Sequence, residues 1–327
     1  MWITIREKTE KSNKLPFGEP LTRFIRRFYC TKKVTEAVLK ISALGIFRVE
    51  INGREIDEYF MPGYTNYNKY VLLCSYDITK DIAEKNNISV TVGDGWFAGR
   101  LGYTSERAIF GDETRLYASL RLVYEDGTEE TLVTDDTWKA YKSEIQYADF
   151  FNGEYIDENK RIDGFALYET LENAVTVTEN RIFKDYDMEP VVCIGKLTPK
   201  QTKKKNSILL DFEQNFAGVL HFSAKGKMGT KITVRHAEML SMDGELYMDN
   251  LRSARCTDTL ILSDKPCTFA PKFTYHGFRY AEITVENGSL EELEITDICG
   301  VVLSQELKRT GYFECSDEIV NKVYENA

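Results

Sequence analysis

The stretch from Val92 to Tyr103 places four glycines around Asp94, Trp96, Arg100 and Tyr103. Glycine at this density lets the backbone adopt positive φ and approach closely, while Trp and Tyr offer flat apolar faces and Asp and Arg offer directional hydrogen bonds. This chemistry suits a polyhydroxylated ligand or a rigid seam between domains. It does not suit a phosphate, because no Lys-Ser/Thr pair follows the glycines and the residues after them do not read as the start of a helix. A similar mixture occurs from Phe60 to Tyr70 and from Phe110 to Arg115, so Asn66, Asp94, Trp96, Arg100 and Asp112 form the candidate sugar-binding set.

Glycosidase chemistry needs two carboxylates at a defined separation across a sugar ring, and Glu154, Asp157, Asp163, Glu238, Asp243 and Glu245 are the candidates. Nothing in their spacing pairs them. His236 follows Ile232 and Val234 on one strand face and is expected to be a core histidine with a satisfied ring. His221 is expected to be exposed, and His276 lies in an aromatic turn; three isolated histidines without ligand spacing make no metal site. No serine sits in a Gly-x-Ser-x-Gly elbow, so a serine hydrolase has no signal.

The elements that must carry these residues are strands. Phe47, Val49 and Ile51 alternate with Arg48 and Glu50, and Asn52-Gly53 then supplies a type I′ hairpin turn. Leu116 to Tyr124 reads as a strand that turns at Glu125 to Thr128. The same grammar recurs at Ile88 to Val92, Val219 to Ala224, Ile232 to Ala237, Thr259 to Leu262 and Phe278 to Val285, where Arg279 and Glu282 are available for cross-strand pairing. Many short strands without intervening helices predict an all-β protein of two antiparallel, jelly-roll-like β-sandwich domains. The polar stretch after Thr178 places the boundary between a first domain, 1–178, and a second, 179–303. Residues 304–327 read as a linker and the start of a short C-terminal helix, with Ser316 as N-cap and Ile319, Val320, Val323 and Tyr324 as an apolar stripe.

Composition narrows the partners. At 327 residues the chain exceeds the roughly 250–300 that a single core supports, which favours two domains. A net charge of -10 argues against nucleic acid and anionic membranes, which recruit clustered positive charge. The seven cysteines are odd in number and lack CxxC spacing, which argues against a zinc site and against a disulfide framework. Cys30, Cys74, Cys193 and Cys299 lie in or beside apolar runs and are expected to be buried thiols. Met1 to Glu7 shows no basic region followed by a long apolar core, and no later run could span a bilayer, so the expectation is a cytoplasmic protein.

The order of these segments resembles the N-terminal region of bacterial α-L-rhamnosidases of glycoside hydrolase family 78. The resemblance is carried by the three loop segments, then Asn152 to Tyr155, Asp211 to Gly218, His236-Ala237-Glu238, Asp243 to Tyr247, Asn250-Leu251-Arg252, Thr257-Asp258, Phe273 to Tyr280 and Gly311 to Ser316. It spans about residues 25 to 327. It implies that the parent reaction is inverting hydrolysis of terminal α-L-rhamnosides and that the catalytic carboxylates sit in an (α/α)6 barrel following these domains. This sequence stops at Ala327, so no family catalytic residue transfers and the chain is expected not to hydrolyse alone. Its expected partners are that barrel and a rhamnose-containing glycan or glycoside. Some members hold rhamnose on this type of sandwich through calcium, which implies Asn66 and Asp112 as oxygen ligands; Tyr67 departs from that pattern. No cofactor is otherwise required. The alternative is a free-standing carbohydrate-binding or adhesion-like module.

Overall fold

The computed structural model describes residues 1–5, 18–103 and 105–326; Arg6 and Glu7 of the N-terminal reading and Ala327 lie outside them. Strands dominate, and they form three main sheets. The first has seven strands: Val175–Val177, Trp2–Thr4, Arg115–Tyr124, Val34–Leu44, Val71–Asp77 and Phe183–Asp185 in order, with Glu129–Val133 also paired to Arg115–Tyr124. The second has five: Lys139–Lys142, Thr22–Tyr29, Lys85–Gly93, Ile46–Ile51 and Arg54–Glu55. Their alternating apolar faces meet in one core, where Leu39, Ile41, Leu120 and Leu122 of the first sheet face Phe24, Phe47, Val49 and Val90 of the second.

The expected hairpin at Asn52-Gly53 is present, with φ of 52° and 81° and Ile51 paired to Arg54. Arg48, expected on the outer face, is nevertheless buried. The chain after the hairpin folds over it, so Arg48 donates to Glu55 Oε2 at 2.7 Å and to the Glu58 carbonyl at 3.0 Å.

The third sheet has ten strands and curls around its own core. Its spine is Ser207–Lys225, 19 residues long, which pairs with His276–Glu286 mainly through its first half and with Glu294–Gln305 through its second. Pairing with His276–Glu286 breaks between Asp211 and Phe216, where Glu213 has a φ of 63°. At this break the strand changes layer, and Phe212, Phe216 and Phe278 fill the bend. Arg279 and Glu282 pair across strands as expected, with Asp211 at 2.9 Å and Arg235 at 2.7 Å.

The sheets exchange strands across the sequence boundary expected at Thr178. Ile145–Asp149 and Gly153–Asp157 belong to the ten-stranded sheet, whereas Phe183–Asp185 closes an edge of the seven-stranded one. Two pairings are parallel rather than antiparallel: Gly153–Asp157 with Thr257–Ile261, and Phe183–Asp185 with Val71–Asp77.

The C-terminal helix is Glu318–Asn326. Its cap is Asp317 rather than Ser316: the carboxylate accepts from the Ile319 N–H at 2.9 Å and the Val320 N–H at 3.4 Å. The expected stripe is not buried, since Ile319, Val320 and Val323 are all exposed. All seven cysteines are free; Cys30 and Cys74 are buried as expected, but Cys193 is exposed and Cys299 half-buried, because both lie on strands near the sheet edge. Among the described residues no helix is long and apolar enough to cross a membrane.

Candidate functional site

The three glycine- and aromatic-rich segments converge on one face of the first sandwich. Tyr67 lies in the middle, with its ring 5.3 Å from Phe97 and 5.2 Å from Phe110, and Tyr64 meets Trp96 at 6.3 Å. Contrary to the sequence reading, the glycines do introduce a helical turn, Gly95–Ala98, for which Asp94 is the N-cap position. It is a single turn, too short to serve as an anion site.

The polar members of the candidate set are engaged in holding these loops. Asp94 is paired with Arg107. Burial pushes its carboxyl up, against the pull of that guanidinium. The Arg100 guanidinium donates to the Ser105 carbonyl at 2.8 Å, and its backbone N–H donates to Asp149 at 3.0 Å. The Asn66 carbonyl accepts from the Lys69 N–H at 2.8 Å, closing a turn. The side chains of Asn66 and Asp112 are the exposed members.

Trp96 is half-buried and joins two clusters. Its ring meets Phe150 at 4.4 Å in a tilted arrangement, against the core of the ten-stranded sheet, and it also packs against the cluster that contains Tyr67, Phe97 and Val71. This makes it a wedge between the two units. Trp96→Ala is expected to cost about 2–3 kcal/mol, the lower end for a large aromatic because the side chain is partly exposed. Urea unfolding measures this directly, and a loss below about 0.5 kcal/mol would remove the wedge role.

The polar loop around Asn250 closes the seam from the other side. Ser253 shares a 2.7 Å hydrogen bond with Ser105, and the Arg252 guanidinium sits 4.7 Å from the centre of the Tyr103 ring.

Each of the candidate carboxylates has partners of its own. Asp157 and Asp163 accept local backbone N–H groups, from Asn159 at 3.1 Å and from Ala166 at 2.9 Å. Asp243 accepts from the Ser241 hydroxyl, Glu245 pairs with Lys204 at 2.8 Å, and Glu238 accepts from Asn215 at 2.9 Å. Glu154 is fully buried and accepts the backbone N–H groups of Lys272 at 3.0 Å and Phe273 at 2.8 Å. Gly153 places it there: its φ is 101°, and a Cβ would lie 2.2 Å from the Thr257 carbonyl oxygen, so only glycine fits.

Beside Glu154 lies a constellation that the sequence reading missed. His236 and His276, read there as unrelated, stack with ring centres 4.3 Å apart, and the buried Asp258 carboxylate meets both. His276 is the first residue of a strand rather than part of a turn. The His236 ring is only half satisfied, since Nδ1 lies 3.1 Å from the Cys256 carbonyl while Nε2 has no partner. Burial and then the charge of His276 hold His236 down near a pKa of about 3. Burial also opposes charge on His276, but the Asp258 carboxylate outweighs it and pushes the ring up to about 10. A signal was available. Asp258 is in phase with Leu260 and Leu262, both buried, and a charge on a core face requires a partner.

Two β-sandwich units share strands and meet along an aromatic, glycine-rich seam. Residues 32–192 match the α-L-rhamnosidase N-terminal domain, and residues 201–304 match the bacterial α-L-rhamnosidase concanavalin-like domain. The chain belongs to the bacterial α-L-rhamnosidase family, of which it carries the N-terminal and concanavalin-like domains. An α-L-rhamnosidase of Streptomyces avermitilis is 33% identical over 306 residues, covering 90% of this chain and 29% of that protein. One from Formosa agariphila is 32% identical over 325 residues, covering 93% and 34%. The solved Streptomyces avermitilis α-L-rhamnosidase complexed with L-rhamnose superposes with a TM-score of 0.85 at 30% identity, over 94% of this chain and 31% of that one. The Aspergillus terreus α-L-rhamnosidase superposes at 0.88 with 28% identity, over 99% and 38%. The chain thus spans about a third of the length of these relatives.

Proposed function

We propose that this chain supports an enzyme that releases terminal α-L-rhamnose, bracing the catalytic barrel and contributing no acid or base of its own. The observation that carries this reading is the succession of two rhamnosidase domain matches across most of the chain. The engagement of Asp157, Asp163, Glu245 and Glu154 in local turns, an ion pair or the core agrees with it. Purified chain incubated with an aryl α-L-rhamnoside is expected to show no turnover. Turnover within about tenfold of a full-length relative, abolished by a carboxylate substitution in this chain, would overturn the proposal.

A second reading, weak sugar binding, is favoured by the exposed face of Tyr64 beside Trp96, with Asn66 and Asp112 at the surface. The residues fit a calcium ion poorly. Tyr67 is buried with its hydroxyl donating to the Gly63 carbonyl at 3.2 Å, which leaves two side chains where calcium takes six to eight oxygens. One stacking face and a few water-exposed hydrogen bonds support a Kd on the order of 0.1 to 1 mM for L-rhamnose. Calorimetric titration is expected to give that value with and without chelator, and Asp112→Ala is expected to weaken it. Absence of binding at high millimolar sugar would remove this reading, and a chelator-sensitive signal would restore the ion. The absence of disulfides is the basis on which we also assign the chain to a reducing, cytoplasmic compartment.

A further inference from the structure

We infer that His236, Asp258 and His276 form a buried site for a divalent transition-metal ion of the zinc class. Three neighbouring strands bring them together: Lys231–Ala237 pairs with both Thr257–Ile261 and His276–Glu286. One ligand atom from each residue lies within 4.8 Å of the other two. His276 Nε2 is 3.1 Å from Asp258 Oδ1, a hydrogen bond whose proton is released to solvent when an ion takes its place, and His236 Nε2 is 3.8 Å from Asp258 Oδ2. A zinc ion held tetrahedrally at about 2.0–2.1 Å keeps neighbouring ligand atoms about 3.4 Å apart, between the two observed separations.

The second observation is the orientation of His236. Its Nδ1 lies against a backbone carbonyl, which can only accept, so Nδ1 carries the hydrogen and Nε2 presents its lone pair. A carbonyl behind one ring nitrogen is also the arrangement that orients metal-binding histidines. That lone pair faces Asp258 Oδ2, another acceptor, and neither atom has a hydrogen-bond partner although both side chains are fully buried. Two unsatisfied acceptors face to face in the core are costly, and a cation between them satisfies both. Two imidazoles and one carboxylate suit zinc rather than calcium or magnesium, which require more oxygens. The absence of solvent access makes the site structural rather than catalytic, with the metal taken up as the chain folds.

The test uses the chain expressed in medium supplemented with zinc, compared with the same chain unfolded with chelator and refolded without metal. The sequence has only three histidines, so nitrogen-15 NMR resolves each imidazole, and the half-buried His221, hydrogen-bonded to the Asp297 carbonyl, serves as internal reference. Native mass spectrometry is expected to find one zinc per chain. The Nε2 resonances of His236 and His276 should differ between the two preparations while those of His221 coincide, and the metal-bound form should melt several degrees higher. Magnesium or calcium should reproduce none of this. His236→Gln, close in size, should lower zinc affinity by about tenfold or more. Zinc absent from the folded chain, a shift confined to His221, or unchanged affinity in folded His236→Gln would overturn the proposal; if that variant does not fold, the parent's imidazole resonances decide alone.

Discussion

Phe278→Ala is expected to destabilise the chain by about 3–5 kcal/mol, the range for deleting a large aromatic from a packed core. Phe278 is fully buried, and its ring centre lies 4.4 Å from Phe216, 4.6 Å from His236 and 5.6 Å from Phe212. Phe212 and Phe216 flank the break at which the long spine strand changes layer, so one side chain holds both halves of the bend. Its loss leaves a cavity lined by Phe212, Phe216 and His236, whose strands cannot close in without breaking register. Phe278→Leu retains much of the volume and should cost roughly half as much. Urea unfolding of the three proteins measures the difference. A loss below about 1 kcal/mol for the alanine variant would mean that backbone pairing alone fixes the bend.

Local alternation made most strands legible in the sequence. Leu116 to Tyr124, its turn at Glu125 to Thr128 and the Asn52-Gly53 hairpin depend on neighbours within a few residues, and all three are present. What alternation does not encode is the sheet to which a strand belongs. Gly153–Asp157 looks like another strand of the first sandwich, yet its partner is Thr257–Ile261, about a hundred residues away and parallel to it. The same limit hid the His236, Asp258 and His276 cluster, since each is unremarkable on its own strand and the register of three strands creates the site. The cap at Asp317 instead of Ser316 is a smaller case: both types cap helices, and only the backbone path selects which side chain reaches the free N–H groups.

In the candidate sugar set, two residues of the right type are held in structural bonds. Asp94 and Arg100 have the directional groups that carbohydrate recognition requires, but Asp94 is bound to Arg107 and Arg100 to Ser105. The loops need these bonds because their glycines contribute no side-chain packing of their own. Freeing either group to meet a ligand would leave its partner unsatisfied in a half-buried seam, so the exposed Tyr64, Asn66 and Asp112 are the groups available to a sugar.

Glu154 is expected to make stability depend on pH. Burial, only partly offset by the N–H groups of Phe273 and Lys272, raises its pKa from 4.5 to about 8, and the nearby Asp258 charge adds to the shift. Its Oε1 atom has no hydrogen-bond partner, so nothing there stabilises the charged form. The sign follows from linkage. The folded pKa lies above the unfolded one, so the stabilisation is complete below about pH 4.5, falls as the unfolded state ionises, and is exhausted once pH passes about 8. Within this window one proton separates the two states, so the folding constant falls by up to tenfold per pH unit, a few kcal/mol in total. Glu154→Gln keeps an oxygen for the two N–H groups and cannot ionise. Unfolding free energies measured from about pH 5 to about pH 9 should therefore show the parent losing stability relative to Glu154→Gln up to about pH 8 and running parallel to it above. Glu154→Ala, which leaves both N–H groups without an acceptor, should be less stable than Glu154→Gln at every pH. Parallel profiles for the parent and Glu154→Gln throughout the range would show that the carboxylate is ionised in the folded chain.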